Sequence, residues 1–202
     1  MNLVRKILRK LFSGIKINYI KLFYRNRIRI GNNSLIDLNT SVTVHPNGKI
    51  KIGNGVLLRS NKNGYHAGMP FSTTLLLDTE NACLQIEHGV KINGAYIHAQ
   101  KEIVIGKNSV IASGVNIIDS NGHQTISHNR TLERDKPRSI FIGENVWIGL
   151  NSIILKGTKI GNNSIIGAGS VVQGIFPENV IIKGNPAVVV KEIRYEENPV
   201  TM

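Results

Sequence analysis

Six histidines occur in this 202-residue chain, and one of them stands where a charged, non-repeating stretch begins. His123 closes the run Asp119-Ser120-Asn121-Gly122-His123, and His128, Arg130, Arg134, Asp135, Lys136 and Arg138 follow it. A neutral imidazole can accept a proton near neutral pH, so a histidine at the mouth of such a loop suits general-base assistance to an attacking alcohol. Asp119 either orients that imidazole, binds acceptor hydroxyls, or merely closes an Asx turn. His123 and His128 also form an H-x4-H pair, with His88 35 residues upstream. Three imidazoles of that kind would suit zinc. No Gly-x-Ser-x-Gly elbow is present, so a covalent serine mechanism has no candidate nucleophile. Cys83 is the only cysteine and cannot form an internal disulfide; it reads as a small buried filler. Trp147, the only tryptophan, takes an outward position and calls for a partner.

The elements that must hold these residues are set by a period of six. Ile142, Ile148, Ile154, Ile160, Ile166 and Val172 follow one another at that spacing, and glycines come directly after four of them (Gly143, Gly149, Gly161, Gly167). Val146, Ser152, Thr158, Ser164 and Ser170 stand four residues after an aliphatic. The same phrase occurs around Ile105, Ile111 and Ile117 and around Ile30, Ile36 and Val42, with a degenerate version through Ile86 and Ile92. A helix needs a period near 3.6 and a simple antiparallel sheet a period of 2, so neither explains a strict six. A solenoid does: the aliphatic points inward on each wall, the small residue fits near the axis, and Gly, Asn or Asp turns the corner. Three walls of six residues make one coil. Residues 60–72 and 119–139 break the period and read as loops, a cheap excursion for a solenoid.

The chain therefore divides into a segment 1–27, a β-helix over 28–175 with the loop 119–139, and an extension 176–202 in which residues 187–197 are expected to form a short helix. Charge is concentrated at the front. Of a net charge of +12, nine units lie in residues 1–30, which hold no acid, leaving +3 for the other 172 residues. A nearly neutral body argues against nucleic acid as the partner. Val4, Leu8, Leu11 and Ile15 recur at helical spacing opposite Arg5, Lys6, Arg9 and Lys10. No apolar run is long enough to span a bilayer, and no signal-peptide pattern is seen. The basic amphipathic helix either lies on an anionic membrane surface or packs on the protein.

Three phrases carry a family resemblance: Asn145-Val146-Trp147-Ile148-Gly149, Ile166-Gly167-Ala168-Gly169-Ser170-Val171-Val172, and Gly184-Asn185-Pro186-Ala187. With the repeat, they make the sequence similar to the hexapeptide-repeat acyltransferases, above all the maltose, galactoside and surface-polysaccharide O-acetyltransferases. The resemblance implies a left-handed parallel β-helix, a homotrimer, and acetyl-CoA as co-substrate with no metal. It implies that His123 removes the acceptor proton and that Trp147 packs beside the CoA arm near the histidine of a neighbouring subunit. It places the Leu150 N–H at the thioester oxygen and Gly149, Gly167 and Ala168 along the pantetheine groove, where glycine lets a ligand approach the backbone. Asn93 lies near the family's sugar-binding asparagine. Two departures concern the CoA nucleotide: a Thr-Lys pair and an arginine of the galactoside type are replaced by Gln173-Gly174 and Val188, leaving Lys183 and Lys191 as the nearby cations.

The expectation is an O-acetyltransferase acting on a sugar hydroxyl of a surface polysaccharide or its precursor. It would work in the cytoplasm at the inner face of the membrane, with residues 1–27 as a peripheral contact. Two alternatives stand beside it. A zinc enzyme resembling gamma-class carbonic anhydrases would use His88, His123 and His128, and a scaffold would use none of these residues chemically.

Overall fold

In the computed structural model, which describes residues 3–63 and 65–194, the period of six becomes three parallel sheets wrapped around one axis. Sheet A has seven strands, from Ile28–Ile30 to Ile175–Phe176. Sheet B has eight, from Leu35–Ile36 to Ala187–Glu192, and sheet C has six, from Ser41–Val44 to Val171–Val172. The chain visits A, B and C in turn, so each inner strand of the coils pairs in parallel with the strand one coil earlier and one coil later. Ile111 pairs with Ile148, and Ile148 with Ile166.

The repeat's aliphatics all point inward. Ile142, Ile148, Ile154, Ile160, Ile166 and Val172 are 0–4% exposed and belong to one continuous apolar column. Ser109, Ser152, Thr158, Ser164 and Ser170 are buried beside them, and their hydroxyls bond corner carbonyls, which removes the cost of burying them. At the A-to-B corner the turning residue of each coil adopts a left-handed backbone: Asn33, Gly55, Gly89, Asn108, Asn145, Asn163 and Asn179. From Gly55 onward, each donates its N–H to the preceding coil at 2.8–2.9 Å. Only glycine and asparagine take that conformation cheaply, so their recurrence in the sequence is the corner itself.

Helix α1 (Leu3–Tyr24) lies across the open end of the first coil. Ser13 accepts the Ile36 N–H at 2.8 Å, Arg9 donates to Asp37 at 3.1 Å, and the Tyr24 hydroxyl bonds the Val42 carbonyl. Ile20 and Tyr24 are buried and Ile17 packs against the column. The face that docks is thus not the stripe picked out by periodicity. Val4, Leu8, Leu11 and Ile15 are 43–58% exposed on the other side. No helix among the described residues is long and apolar enough to cross a membrane.

The expected C-terminal helix is corrected over its described part. Ala187–Glu192 is a strand antiparallel to Val180–Gly184 on the edge of sheet B. Three consecutive valines, Val188 to Val190, favour extended backbone, and the free edge of the sheet supplied a partner. Residues 195–197 of that expectation lie outside the described residues.

Ile148→Ala should cost about 2–5 kcal/mol, because the stacked coils above and below cannot collapse into the space. Urea denaturation of the two proteins measures this, and an unchanged midpoint would contradict a filled axis.

Candidate active site

The loop after strand Asn116–Ile118 leaves the solenoid at the edge between sheets C and A and returns at Ile140. Its base is tied down. The Arg138 N–H donates to the Asp119 carbonyl at 2.9 Å, and the Gly157 N–H donates to the Arg138 carbonyl at 3.0 Å. Lys156 and Asp135 form a nearly buried ion pair, and Asp135 also accepts the Asn121 N–H at 2.8 Å. Burial works to raise the Asp135 pKa, but the Asn121 N–H and the Lys156 ammonium outweigh it and hold the carboxyl below its ordinary 3.8.

His123 stands exposed above this base. Its Nδ1 lies 2.6 Å from the Arg130 carbonyl oxygen. A carbonyl can only accept, so Nδ1 carries the hydrogen and the neutral ring keeps its lone pair on Nε2. That is the tautomer a general base needs, with the ring steered by the loop's own backbone.

Asp119 does not share in this. It is fully buried, and its carboxylate accepts the backbone N–H groups of Gln100, Lys101 and Glu102 at 2.7, 2.8 and 2.9 Å. Burial raises its pKa against the pull of those three donors. The expectation that it orients His123 or binds acceptor is corrected: it clamps the corner of the coil before the loop, and the orienting group is the Arg130 carbonyl. His128 is exposed farther along the loop.

The residues expected at the cofactor stand elsewhere on the prism. Trp147 projects from sheet B, 54% exposed, in an outward column with Val110, Ile165 and Ile181. Gly149 and Gly167 follow at the corner between sheets B and C, where Lys183 continues the line one coil on. Coil stacking alone accounts for these glycines. A Cβ on Gly149 would stand 2.6 Å from the Ala168 nitrogen, and one on Gly167 would stand 2.9 Å from the Lys183 Cβ. The reason given for them from sequence, approach of a ligand, is therefore not needed. Leu150 is half-buried and its N–H donates no hydrogen bond among the described residues, while Ala168 is exposed. Lys191 is exposed on the last strand, opposite Ile181. Asn93 lies on the same B-to-C corner, buried, with its amide donating to the Ile111 carbonyl at 3.1 Å.

Two groupings thus emerge. His123 occupies the C-to-A edge; Trp147, Gly149, Gly167, Lys183 and Asn93 occupy sheet B and its corner with C. In a three-sided solenoid, that edge is the one opposite sheet B. Cavities of about 550 and 470 Å³ open on the surface of the described residues, and His123 and Trp147 line neither of these. The zinc alternative is separated in the same way. His88 sits at the A-to-B corner with its Nδ1 accepting the Asn54 N–H, away from the loop of His123 and His128. No metal-ligating group of three forms among the described residues.

His98 stands at an aliphatic repeat position, which reads from sequence as a satisfied inward or wall histidine, and it has a carboxylate partner. His98 projects outward from sheet C, and its Nε2 lies 2.8 Å from Asp78. Asp78 precedes it by about one coil, so the repeat period held the clue.

Residues 139–174 match the family model of the bacterial transferase hexapeptide, six repeats. Over 121 residues the chain is 38% identical to Escherichia coli K12 WbbJ, whose name assigns it to O-acetyl transfer in lipopolysaccharide biosynthesis; the match takes in 53% of this chain and 59% of that one. It is 41% identical over 91 residues to the galactoside O-acetyltransferase of the same organism, 45% of this chain and 44% of the other. The chain thus spans about half the length of these curated relatives. Among solved structures, AntD, a Bacillus cereus N-acyltransferase in complex with dTDP and 3-hydroxybutyryl-CoA, superposes with a TM-score of 0.66 at 19% identity, over 91% of this chain and 89% of that one. That likeness carries the fold, a left-handed β-helix solenoid.

The Lys156–Asp135 tie gives a prediction with a definite sign. Because the Asp135 pKa is lowered, its contribution is fully present above the ordinary carboxylate range and is lost as pH falls through the lowered value, below 3.8. Hydrogen exchange of the loop amides should stay slow at mildly acidic pH and accelerate only below that point. Lys156→Met should remove the protection at neutral pH as well.

Proposed function

We propose, from the premise that the repeat region belongs to the bacterial transferase hexapeptide family, that this protein is an acetyl-CoA-dependent O-acetyltransferase acting on a sugar hydroxyl. The acceptor belongs to a surface polysaccharide or its precursor, as the name of the lipopolysaccharide-biosynthesis relative supports. The observation that carries the reading is the His123 ring, with Nδ1 committed to the Arg130 carbonyl and Nε2 left open at an exposed edge.

In the reaction, His123 Nε2 takes the proton of the acceptor hydroxyl as the oxygen attacks the thioester carbonyl. The new C–O ester bond forms, the C–S bond breaks, and the departing thiolate recovers the proton from Nε2. The Leu150 N–H is the donor toward the developing oxyanion. The pantetheine arm lies past Trp147 along Gly149, Gly167 and Ala168, toward Lys183 and Lys191 at its anionic end. Asn93 contributes to the acceptor side.

Since these groups lie on an edge and on the face opposite it, one chain does not bring them together. A second copy does, its C-to-A edge set against sheet B of the first. Such a contact joins different surfaces, and when it closes it gives a ring. We assign a homotrimer with three inter-subunit sites. Residues 1–27 supply a peripheral membrane contact, which sets the enzyme on the cytoplasmic side of the bilayer where polysaccharide precursors are built.

His123→Ala should lower the rate of thiol release from acetyl-CoA in the presence of acceptor sugar by about 10²–10⁴-fold with an unchanged melting temperature. Asp119→Asn should do the reverse, lowering the melting temperature while the folded protein keeps its turnover. A rate unaffected by loss of His123 would end the mechanism. Subunit mixing tests the shared site. His123→Ala and Trp147→Glu proteins, each inactive alone, should regain about a quarter of wild-type activity after joint refolding, because random trimers rebuild intact sites. No recovery would place both groups in one subunit's own site.

A further inference from the structure

The larger cavity, about 550 Å³, lies between α1 and the first two coils and belongs to no part of the acetyl-transfer site. Its polar wall holds Arg9, Arg59, Asn61 and Asn63, and its rim carries Leu8 and Phe12. The one carboxylate there is fully used. Asp37 takes two bonds from Arg9 on one oxygen, and the backbone N–H groups of Ser60 and Asn61 on the other at 2.9 and 3.2 Å. Arg59 is left over. Its guanidinium stacks over the Tyr65 ring at 5.6 Å, and its Nε is buried with no hydrogen-bond partner. Burial and the nearby Arg9 charge push its pKa down. Two guanidinium groups thus line the cleft against one carboxylate that Arg9 already occupies, which leaves the lining with one positive charge in excess.

The rim tells what carries that anion. Leu8 and Phe12 belong to the outer face of α1, which continues through Leu11, Ile15, Tyr19, Leu22 and Phe23, all 44–78% exposed apart from Leu8 at 43%. Lys10 and Lys21 flank this arc on one side and Lys16 on the other. A small soluble phosphate would fill the cleft and leave the arc in water. A second copy of the helix would bring six cations against six, and the rest of the chain beyond residue 30 is itself net positive, +3 over 172 residues. A bilayer with anionic headgroups satisfies both at once, with acyl chains against the arc and charge along its flanks.

We propose that the cleft between α1 and the first two coils is a phosphate site for an anionic phospholipid headgroup, and that it seats the apolar face of α1 in the bilayer. This deepens the membrane contact and is independent of acetyl transfer, so its test contains neither CoA nor sugar. The full chain is sedimented with vesicles of phosphatidylcholine alone or doped with phosphatidylglycerol. Wild type should bind only the doped vesicles. Arg59→Ala should weaken binding about tenfold, clearly more than Arg25→Ala, which removes an exposed cation outside the cleft. The pair Leu11→Glu and Ile15→Glu, both at exposed positions, should abolish binding with an unchanged melting temperature. If Arg59→Ala and Arg25→Ala weaken binding equally, the cleft is not a headgroup site. If wild type binds neither vesicle, or if inorganic phosphate raises its melting temperature while vesicles do not, the bilayer is not the occupant.

Discussion

Each coil must place three inward side chains around a common axis within the thickness of one strand, about 4.8 Å, and everything else in the molecule follows from meeting that demand. Aliphatics of one size at every sixth position meet it, with small polar residues between them whose hydroxyls bond the corner carbonyls. The corners are constrained just as tightly. A coil cannot turn and stay in register with its neighbours unless one residue per A-to-B corner goes left-handed and hands its N–H to the coil below. The same closeness explains Gly149, whose place is fixed by the Ala168 backbone.

A filled axis has a functional consequence. With buried aliphatic side chains packed along the column, chemistry falls to the outside, to what projects from an edge or lies along a face. The described chain projects two long loops, 60–73 at the B-to-C corner and 119–139 at the C-to-A edge, and the second carries His123. The faces differ as well. The outward column of sheet A mixes Arg29, Lys51, Gln85 and Lys159 with Val104, Phe141 and Ile175, whereas that of sheet B from Val110 onward runs through Trp147, Ile165 and Ile181. An apolar column flanking a glycine-lined corner and ending in two lysines suits a long ligand with an anionic end. The division of labour between edge and opposite face makes association a requirement of the proposed chemistry.

What could be read from sequence was whatever repeats. Ile142 to Val172 gave the walls, and the asparagines and glycines after them gave the corners. His123 stood out because it sits just where the period fails. Residues whose role depends on a neighbour one coil away were harder. Asp119 looked like a partner for His123 four positions on, but its partners are the N–H groups of residues 100–102, brought beneath it by the coil. The helical stripe of α1 was read correctly as apolar, but periodicity cannot say which of two apolar sides docks. The docking side is Ser13, Ile17, Ile20 and Tyr24, which recur at the same i, i+4, i+7, i+11 spacing as the exposed stripe, with a serine in place of one of its aliphatics. The C-terminal strand escaped for a related reason: its valines needed a sheet edge, and sequence alone does not show that the edge of sheet B is open.

The two ends of the solenoid are closed by different devices, and the difference gives the molecule a direction. At the far end the Val180–Gly184 and Ala187–Glu192 strands form a hairpin that extends sheet B. At the near end α1 crosses the first coil and reaches Ile36, Asp37 and Val42 in turn, so its outer side faces along the axis. On the proposed bilayer contact the solenoid therefore stands upright on the membrane. The His123 loop leaves after the fourth strand of sheet A and before the fifth. Four coils at about 4.8 Å each lift the base roughly 20 Å above the headgroups. A hydroxyl on a sugar joined directly to a lipid phosphate would lie well below that height. On that proposed contact, a lipid-linked acceptor would have to be a saccharide long enough to climb the side of the solenoid, with the acetylated residue several sugars from the lipid.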